Sequence, residues 1–329
     1  MQAEISTQIY ISKENVSTQR TAKANAKPRR EFGRELLNVE RTPAQTQTQP
    51  STAQSTPLKA LFVPETADRD SVLAYAEPIG EHCRSRAASL TLAKDYLAVQ
   101  NDITPKMRSI LVDWLADVSH KFRLSAHTLF ATVNTLDRYL AVAQVEKTQL
   151  QLLGATCLSL QAKMEEVYPP AMDAYLAVCD NAYSADQLLE MEGAVLNALG
   201  FDISQPSSLY FLQLSQLTLQ LERKPLAFAR YILETSLLDA NGAKYSNATL
   251  AAGAVFLVLK IFKLGAYTQQ HAALFGCGDA DVRAAAKDLY LCLQRIDASS
   301  LSAVKRKFAT AEFCEVSKFK IEKQSGSKQ

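Results

Sequence analysis

Residues 150–162 read LQLLGATCLSLQA, and no charge interrupts the chain between Lys147 and Lys163. Every side of a helix built from this stretch is apolar or small, so other helices must surround it. Its neighbours carry the same period in a different form. In MRSILVDWLADVSHKF, residues 107–122, Met107, Ile110, Leu111, Trp114, Leu115 and Val118 fall on one broad stripe at 100° per residue. Arg108 falls on the flank of that stripe, between Val112 and Leu115. The next segment, 125–142, has its own stripe of Leu129, Val133, Leu136 and Leu140, with Asp137 set inside it. Two opposite charges in facing apolar surfaces predict a buried pair between adjacent helices. Removing one partner of such a pair costs roughly 3–5 kcal/mol, because the other stays buried and unpaired.

Punctuation along the chain agrees with helices. Thr104-Pro105 caps and opens the first, Ser125 precedes the second, Tyr168-Pro169-Pro170 stops the third, and Ser184 with Gln187 forms a capping-box pattern. The design returns at 250–260, LAAGAVFLVLK, charge-free up to Leu259 and closed by Lys260, where Gly253 matches Gly154 at an offset of about 99 residues. Amphipathic segments flank it at 227–238 and 279–296, and Pro206 marks the junction. No sustained alternation of β-branched residues appears. The ordered part is therefore predicted to be all-α, one five-helix unit used twice, over 69–203 and 204–316, with a flexible tail at 317–329.

Residues 1–68 differ. They are poor in aliphatic and aromatic side chains and include RTPAQTQTQPSTAQSTP at 41–57, a composition that predicts a disordered tail. The whole chain of 329 residues is 47% hydrophobic and 21% charged with a formal net charge of +2, which favours buried cores and gives no argument for nucleic acid, although 305–328 is locally basic. Six cysteines without short pairings predict buried free thiols and a reducing compartment. The start of the chain lacks the pattern of a secretory signal, and the apolar run 250–259 is too short to span a bilayer. No membrane, metal or cofactor is expected. No phosphate-binding G-x-x-x-x-G-K, Cys-x-x-Cys or His-Glu-x-x-His occurs, and Gly276-Cys277-Gly278 lacks both a third glycine and a preceding strand, so an enzyme is disfavoured.

Function is carried by the end of the central helix, Lys163-Met164-Glu165-Glu166, and by Glu192, which falls inside the stripe of Leu188, Val195 and Leu199. Two readings stand side by side. Lys163 and Glu192 form a structural ion pair, or both point into a groove that grips a docked helix end, lysine donating to carbonyls and glutamate accepting from amides. The second unit has Lys260-Ile261-Phe262-Lys263 at this place and no glutamate pair.

Taken together, MRSILVDWL, LDRYL, LQLLGATCLSLQAKMEE, YPP and LLEMEGAVLNALGFDI resemble the cyclin box, and the second unit resembles the C-terminal cyclin fold. The likeness covers most of residues 70–315. KFRL at 121–124 and KFATAEFCEVS at 307–317 are closer to mitotic B-type than to A-type members. The resemblance implies a non-catalytic subunit that binds and activates a cyclin-dependent kinase at the G2/M transition, in nucleus and cytoplasm. It places Lys163, Glu165, Glu166 and Glu192 at the kinase interface. It assigns Met107, Ile110, Leu111, Trp114, Asp117, Leu150 and Gln151 to an exposed patch that docks Arg-x-Leu motifs of substrates and inhibitors, Asp117 meeting the arginine. By pattern alone that stripe would be core.

In the tail, Lys13-Glu14-Asn15 is a KEN sequence, read in this family by the anaphase-promoting ubiquitin ligase. Arg29, Phe32, Gly33 and Asn38 form an imperfect destruction-box-like string, and Thr42-Pro43 and Thr56-Pro57 fit proline-directed phosphorylation. The rival expectation is a cyclin-fold transcription factor or adaptor that binds DNA or protein without activating a kinase. Such a factor carries a zinc ribbon and a strongly basic surface, and this chain has neither pattern.

Overall fold

The computed structural model describes residues 69–319, and among them every regular element is helical. Helix α1 (Arg69–Ser89) leads, and a short 3₁₀ turn follows at Tyr96–Val99. The first unit is α2 (Pro105–Lys121), α3 (Ala126–Val142), α4 (Leu150–Glu165), α5 (Met172–Val178) and α6 (Ala185–Ala198). The second repeats the plan with α7 (Ser208–Leu219), α8 (Arg223–Ser236), α9 (Asn247–Ile261), α10 (Gln269–Phe275) and α11 (Asp279–Asp297). A short α12 (Ala303–Lys307) follows, with 3₁₀ turns at Ala311–Phe313 and Val316–Lys318 after it.

Helix starts follow local chemistry. The Thr104 hydroxyl accepts from the Met107 amide, Ser125 accepts from Thr128, and Ser184 with Gln187 completes a reciprocal capping box. Ser207 and Ser246 cap α7 and α9 in the same way.

In α4, all residues from Leu150 to Ala162 are buried, and α2, α3 and α6 pack around them. The helix α9 takes the same central place among α7, α8 and α11. Their matched glycines serve different neighbours. A Cβ on Gly154 would lie 2.8 Å from a Leu111 methyl of α2, whereas one on Gly253 would lie 3.0 Å from the Ala286 amide of α11. Each glycine permits one close helix approach, and the approaching helix is not the equivalent one.

The cysteines are all free among the described residues; Cys157, Cys179 and Cys292 are buried, and burial pushes Cys179 and Cys292 up to about 12. No described helix is long and apolar enough to cross a membrane. At the C-terminus, residues 317–319 are not loose as the sequence suggests: the Ser317 amide donates to Phe308 and the Phe319 ring stacks on Phe262. The apolar ring of Phe319 has a surface to cover, which no local pattern reveals.

Candidate functional site

Arg108, the fourth residue of α2, is 1% exposed and meets Asp137 of α3 in a fork, Nε to Oδ1 at 2.7 Å and Nη2 to Oδ2 at 2.7 Å. Burial by itself disfavours the charged guanidinium, but the adjacent carboxylate outweighs it and holds Arg108 protonated. Two partners lie beyond the sequence pattern. The Tyr96 hydroxyl donates to Asp137 Oδ1 at 2.7 Å, and Arg108 Nη1 donates to the Leu237 carbonyl of the second unit at 2.7 Å. Ser109 donates to the Leu238 carbonyl beside it. The buried pair therefore also ties the two units together.

At the end of α4 the chain turns out of the helix before Tyr168-Pro169-Pro170, since proline cannot continue it. Lys163 Nζ reaches both oxygens of Glu192 on α6, at 2.8 and 2.6 Å. The lysine side chain is 47% exposed and the glutamate 18%, so the pair stands at the rim of the unit rather than in its core. Glu165 is exposed beside it. Glu166 is committed elsewhere: its Oε1 accepts from the Ser125 amide at 2.7 Å and from the Thr128 hydroxyl, which fixes the start of α3. Within the chain its carboxylate thus positions the start of α3.

Apolar residues around this helix end carry no charge signal in the sequence. Met164, Val167, Tyr168 and Leu189 are exposed, Val167 and Tyr168 at 85% and 92%, and Phe201 just past α6 is exposed as well. Large apolar side chains are thus left open to solvent beside a charged pair. Met164, Val167 and Tyr168 stand just before the helix-stopping prolines, Leu189 on α6 and Phe201 just after Gly200.

The face of α2 divides. Met107, Ile110 and Trp114 are half-buried and reach the surface, but Leu111, Leu150 and Gln151 are buried, at 2%, 4% and 7% exposed. Leu111 packs against Gly154, so these three form the floor beneath the patch rather than its exposed part. Asp117 is exposed and already holds a cation, Arg306 of α12, whose Nη2 donates to both carboxylate oxygens at 2.7 and 2.6 Å. One turn earlier, Asp113 accepts the amides of Ser302 and Ala303 at 3.3 and 3.0 Å. Sequence reading assigned Asp113 nothing, because its partners lie 189 and 190 residues away.

Lys13, Glu14, Asn15, the string from Arg29 to Asn38, Thr42 and Thr56 lie outside the described residues. Among the described residues, no group of three or more His, Cys, Asp or Glu is arranged to hold a metal ion.

The family models for the cyclin N-terminal and C-terminal domains match residues 79–204 and 206–322. Similar curated relatives include G2/mitotic-specific cyclin-B3 of Gallus gallus, 33% identical over 244 residues, covering 74% of this chain and 60% of the relative. Cyclin-B of Hydra vulgaris is 32% identical over 223 residues, 68% of this chain and 62% of that protein. Cyclin-B2-1 of Oryza sativa subsp. japonica is 38% identical over 195 residues, 58% and 46% respectively. The chain thus spans between about half and three fifths of the length of these relatives. Among solved structures, a viral cyclin from herpesvirus saimiri superposes with a TM-score of 0.57 at 20% identity, over 65% of this chain and 97% of that one. A chain of the yeast RNA Pol II CTD kinase CTDK-1 complex superposes at 0.52 with 15% identity, over 68% and 73%, and both likenesses concern the fold. With two tandem five-helix units, a buried Arg108–Asp137 pair and both domain models matched in order, the chain belongs to the cyclin family, with B-type cyclins among its relatives.

Proposed function

We propose that this protein is the regulatory subunit of a cyclin-dependent protein kinase acting at G2/M, and that it binds the kinase through the end of α4. The observation that carries the reading is the Lys163–Glu192 pair standing at an open helix end among exposed Met164, Val167, Tyr168 and Leu189. The charged pair supplies both a donor and an acceptor for the backbone of an incoming helix, and the apolar side chains supply area to bury. Phosphoryl transfer belongs to the partner. The cyclin's contribution is differential contact with the competent state of the kinase, which shifts its population toward that state. That relatives are named G2/mitotic-specific cyclins supports the timing.

The half-buried Met107, Ile110 and Trp114 with Asp117 form a second surface, which selects substrates and inhibitors that carry Arg-x-Leu motifs. Lys13-Glu14-Asn15 serves as a degradation signal for the anaphase-promoting ubiquitin ligase, Thr42 and Thr56 as phosphorylation sites, and the protein works in nucleus and cytoplasm.

Reversing one charge tests the interface. With Glu192→Lys the full chain should lose kinase co-purification at least about tenfold, a cost of about 1.4 kcal/mol or more. Its melting temperature should stay close to that of the wild type. Undiminished co-purification of active kinase by this variant would remove the end of α4 from the interface.

A further inference from the structure

The helix α12 carries three consecutive cations, and each is held by a carboxylate on a different helix. Lys305 pairs with Asp297 of α11, Arg306 with Asp117 of α2, and Lys307 with Glu234 of α8. These three pairs are not alike. Glu234 is fully buried and the Lys307 side chain is 16% exposed, which makes that contact a structural anchor. Phe308 is also fully buried, 5.3 Å from the Tyr231 ring and 4.6 Å from Phe313, and Ala303 and Val304 join the same core. The Arg306–Asp117 pair instead lies in solvent, with the side chains 60% and 48% exposed.

Asp117 sits one turn beyond Trp114 and two turns beyond Ile110 on the same side of α2. A guanidinium on this carboxylate occupies the place where the arginine of a docked Arg-x-Leu peptide would bind. Phe308, two residues after Arg306, turns away into the second unit, so α12 fills the charged end of the patch and leaves Met107, Ile110 and Trp114 half open. Arg306 can leave Asp117 by side-chain rotation, giving up with it the Nη1 hydrogen bond to the Ser302 hydroxyl at 2.5 Å, since Lys307, Phe308 and the Asp113 contacts to the Ser302 and Ala303 amides keep α12 in place.

We infer that Arg306 is an internal competitor for the arginine subsite, which sets the specificity of the patch. This inference rests on the reading of the α2 face as a peptide-docking surface. An incoming arginine replaces one guanidinium by another at Asp117 and gains little. The apolar residue of the peptide then carries most of the affinity, and the arginine counts fully only when Arg306 is absent.

The test uses the full chain and two fluorescent peptides, one with an Arg-x-Leu motif and one with alanine in place of its arginine, followed by polarisation. With wild-type protein the two should bind within about twofold of each other. In Arg306→Ala the arginine peptide should tighten about two- to fivefold, the range of an exposed ion pair, while the alanine peptide stays unchanged. Arg306→Lys, which keeps a competing charge, should behave like wild type. Equal tightening of both peptides, or no change in either, overturns the competition. Trp114→Ala separates the two levels. If it abolishes binding of the arginine peptide while Arg306→Ala has no effect, the competitor role fails and the docking surface stands. Should the arginine peptide bind Trp114→Ala as well as wild type, or fail to bind wild type and Arg306→Ala alike, the docking reading fails and the competitor role with it.

Discussion

The twelfth residue of the second helix in each unit is a buried carboxylate, Asp137 in α3 and Glu234 in α8, yet the two are neutralised from different parts of the chain. Asp137 receives Arg108 from the preceding helix, α2. In the second unit the fourth residue of the first helix is Phe211, which is buried and carries no charge. Glu234 is met instead by Arg230 one turn away, at 2.9 Å, and by Lys307, at 2.6 Å, which arrives only after the fifth helix has ended. The central helices end differently too. At the offset that matches Gly154 to Gly253, Phe262 stands where the first unit has Lys163, and Phe319 stacks on it at 5.4 Å while packing edge-on against Phe228 at 5.7 Å. The first unit closes its buried carboxylate and leaves its helix end open without help from the C-terminal segment, which touches it only on the α2 face, through Asp113 and Asp117. The second is finished by that segment, which covers the equivalent surface. Among the described residues, two copies of one plan thus leave one central helix end covered and the other open.

Breaking the charges should show the difference most strongly. Asp137→Ala strands a guanidinium that is 1% exposed and should cost about 3–5 kcal/mol in chemical unfolding. It should also loosen the contact between units, because Arg108 holds the Leu237 carbonyl. Glu234→Ala should cost less, about 1–3 kcal/mol, since the cations it leaves, Arg230 and Lys307, are 24% and 16% exposed rather than fully buried like Arg108. A larger loss from Glu234→Ala than from Asp137→Ala would reverse the comparison.

At the two helix ends the contrast runs the other way. Phe319→Ala removes a partly exposed ring from two aromatic partners and should destabilise by about 1–2 kcal/mol in thermal unfolding, without affecting kinase association. Lys163→Ala removes an exposed ion pair and should change stability by less than about 1 kcal/mol. If Phe319→Ala left the melting temperature unchanged, the second helix end would not be closed in solution.

The smallest expected effect is on acidification. Burial lowers the affinity of His127 for a proton, the Gln213 side chain and then Glu165 oppose this, and Arg230 adds to it. A depressed histidine stabilises the fold above its unfolded value near 6.5, and that contribution is lost as pH falls through the lower folded value. Stability should therefore decline on the acid side of about pH 6.5, and His127→Gln should flatten that part of the profile. An identical slope in the variant would assign the decline to other groups.

Much of this was legible in the residues. The absence of charge from 150 to 162 placed α4 at a centre, and Arg108 and Asp137 announced each other because a charge inside an apolar stripe has few ways to be satisfied. Lys163 and Glu192 were recognisable as neighbours for the same reason. The seven-residue patch was read less well. Helical period places Leu111 and Trp114 on one stripe but cannot say that Gly154 lets α4 bury the first and leave the second at the rim.

By itself, the sequence determined that the part from about residue 70 onward is helical, that it uses one plan twice, and which charges require buried partners, because these follow from period and desolvation within a single helix. Only the tertiary structure decided which groups answer them. Tyr96 and Leu237 complete the Arg108–Asp137 pair, Lys307 comes from beyond the fifth helix to Glu234, Arg306 takes Asp117, and Phe319 covers Phe262. Helical period reports which face of a helix seeks cover; the packing of distant segments decides what provides it.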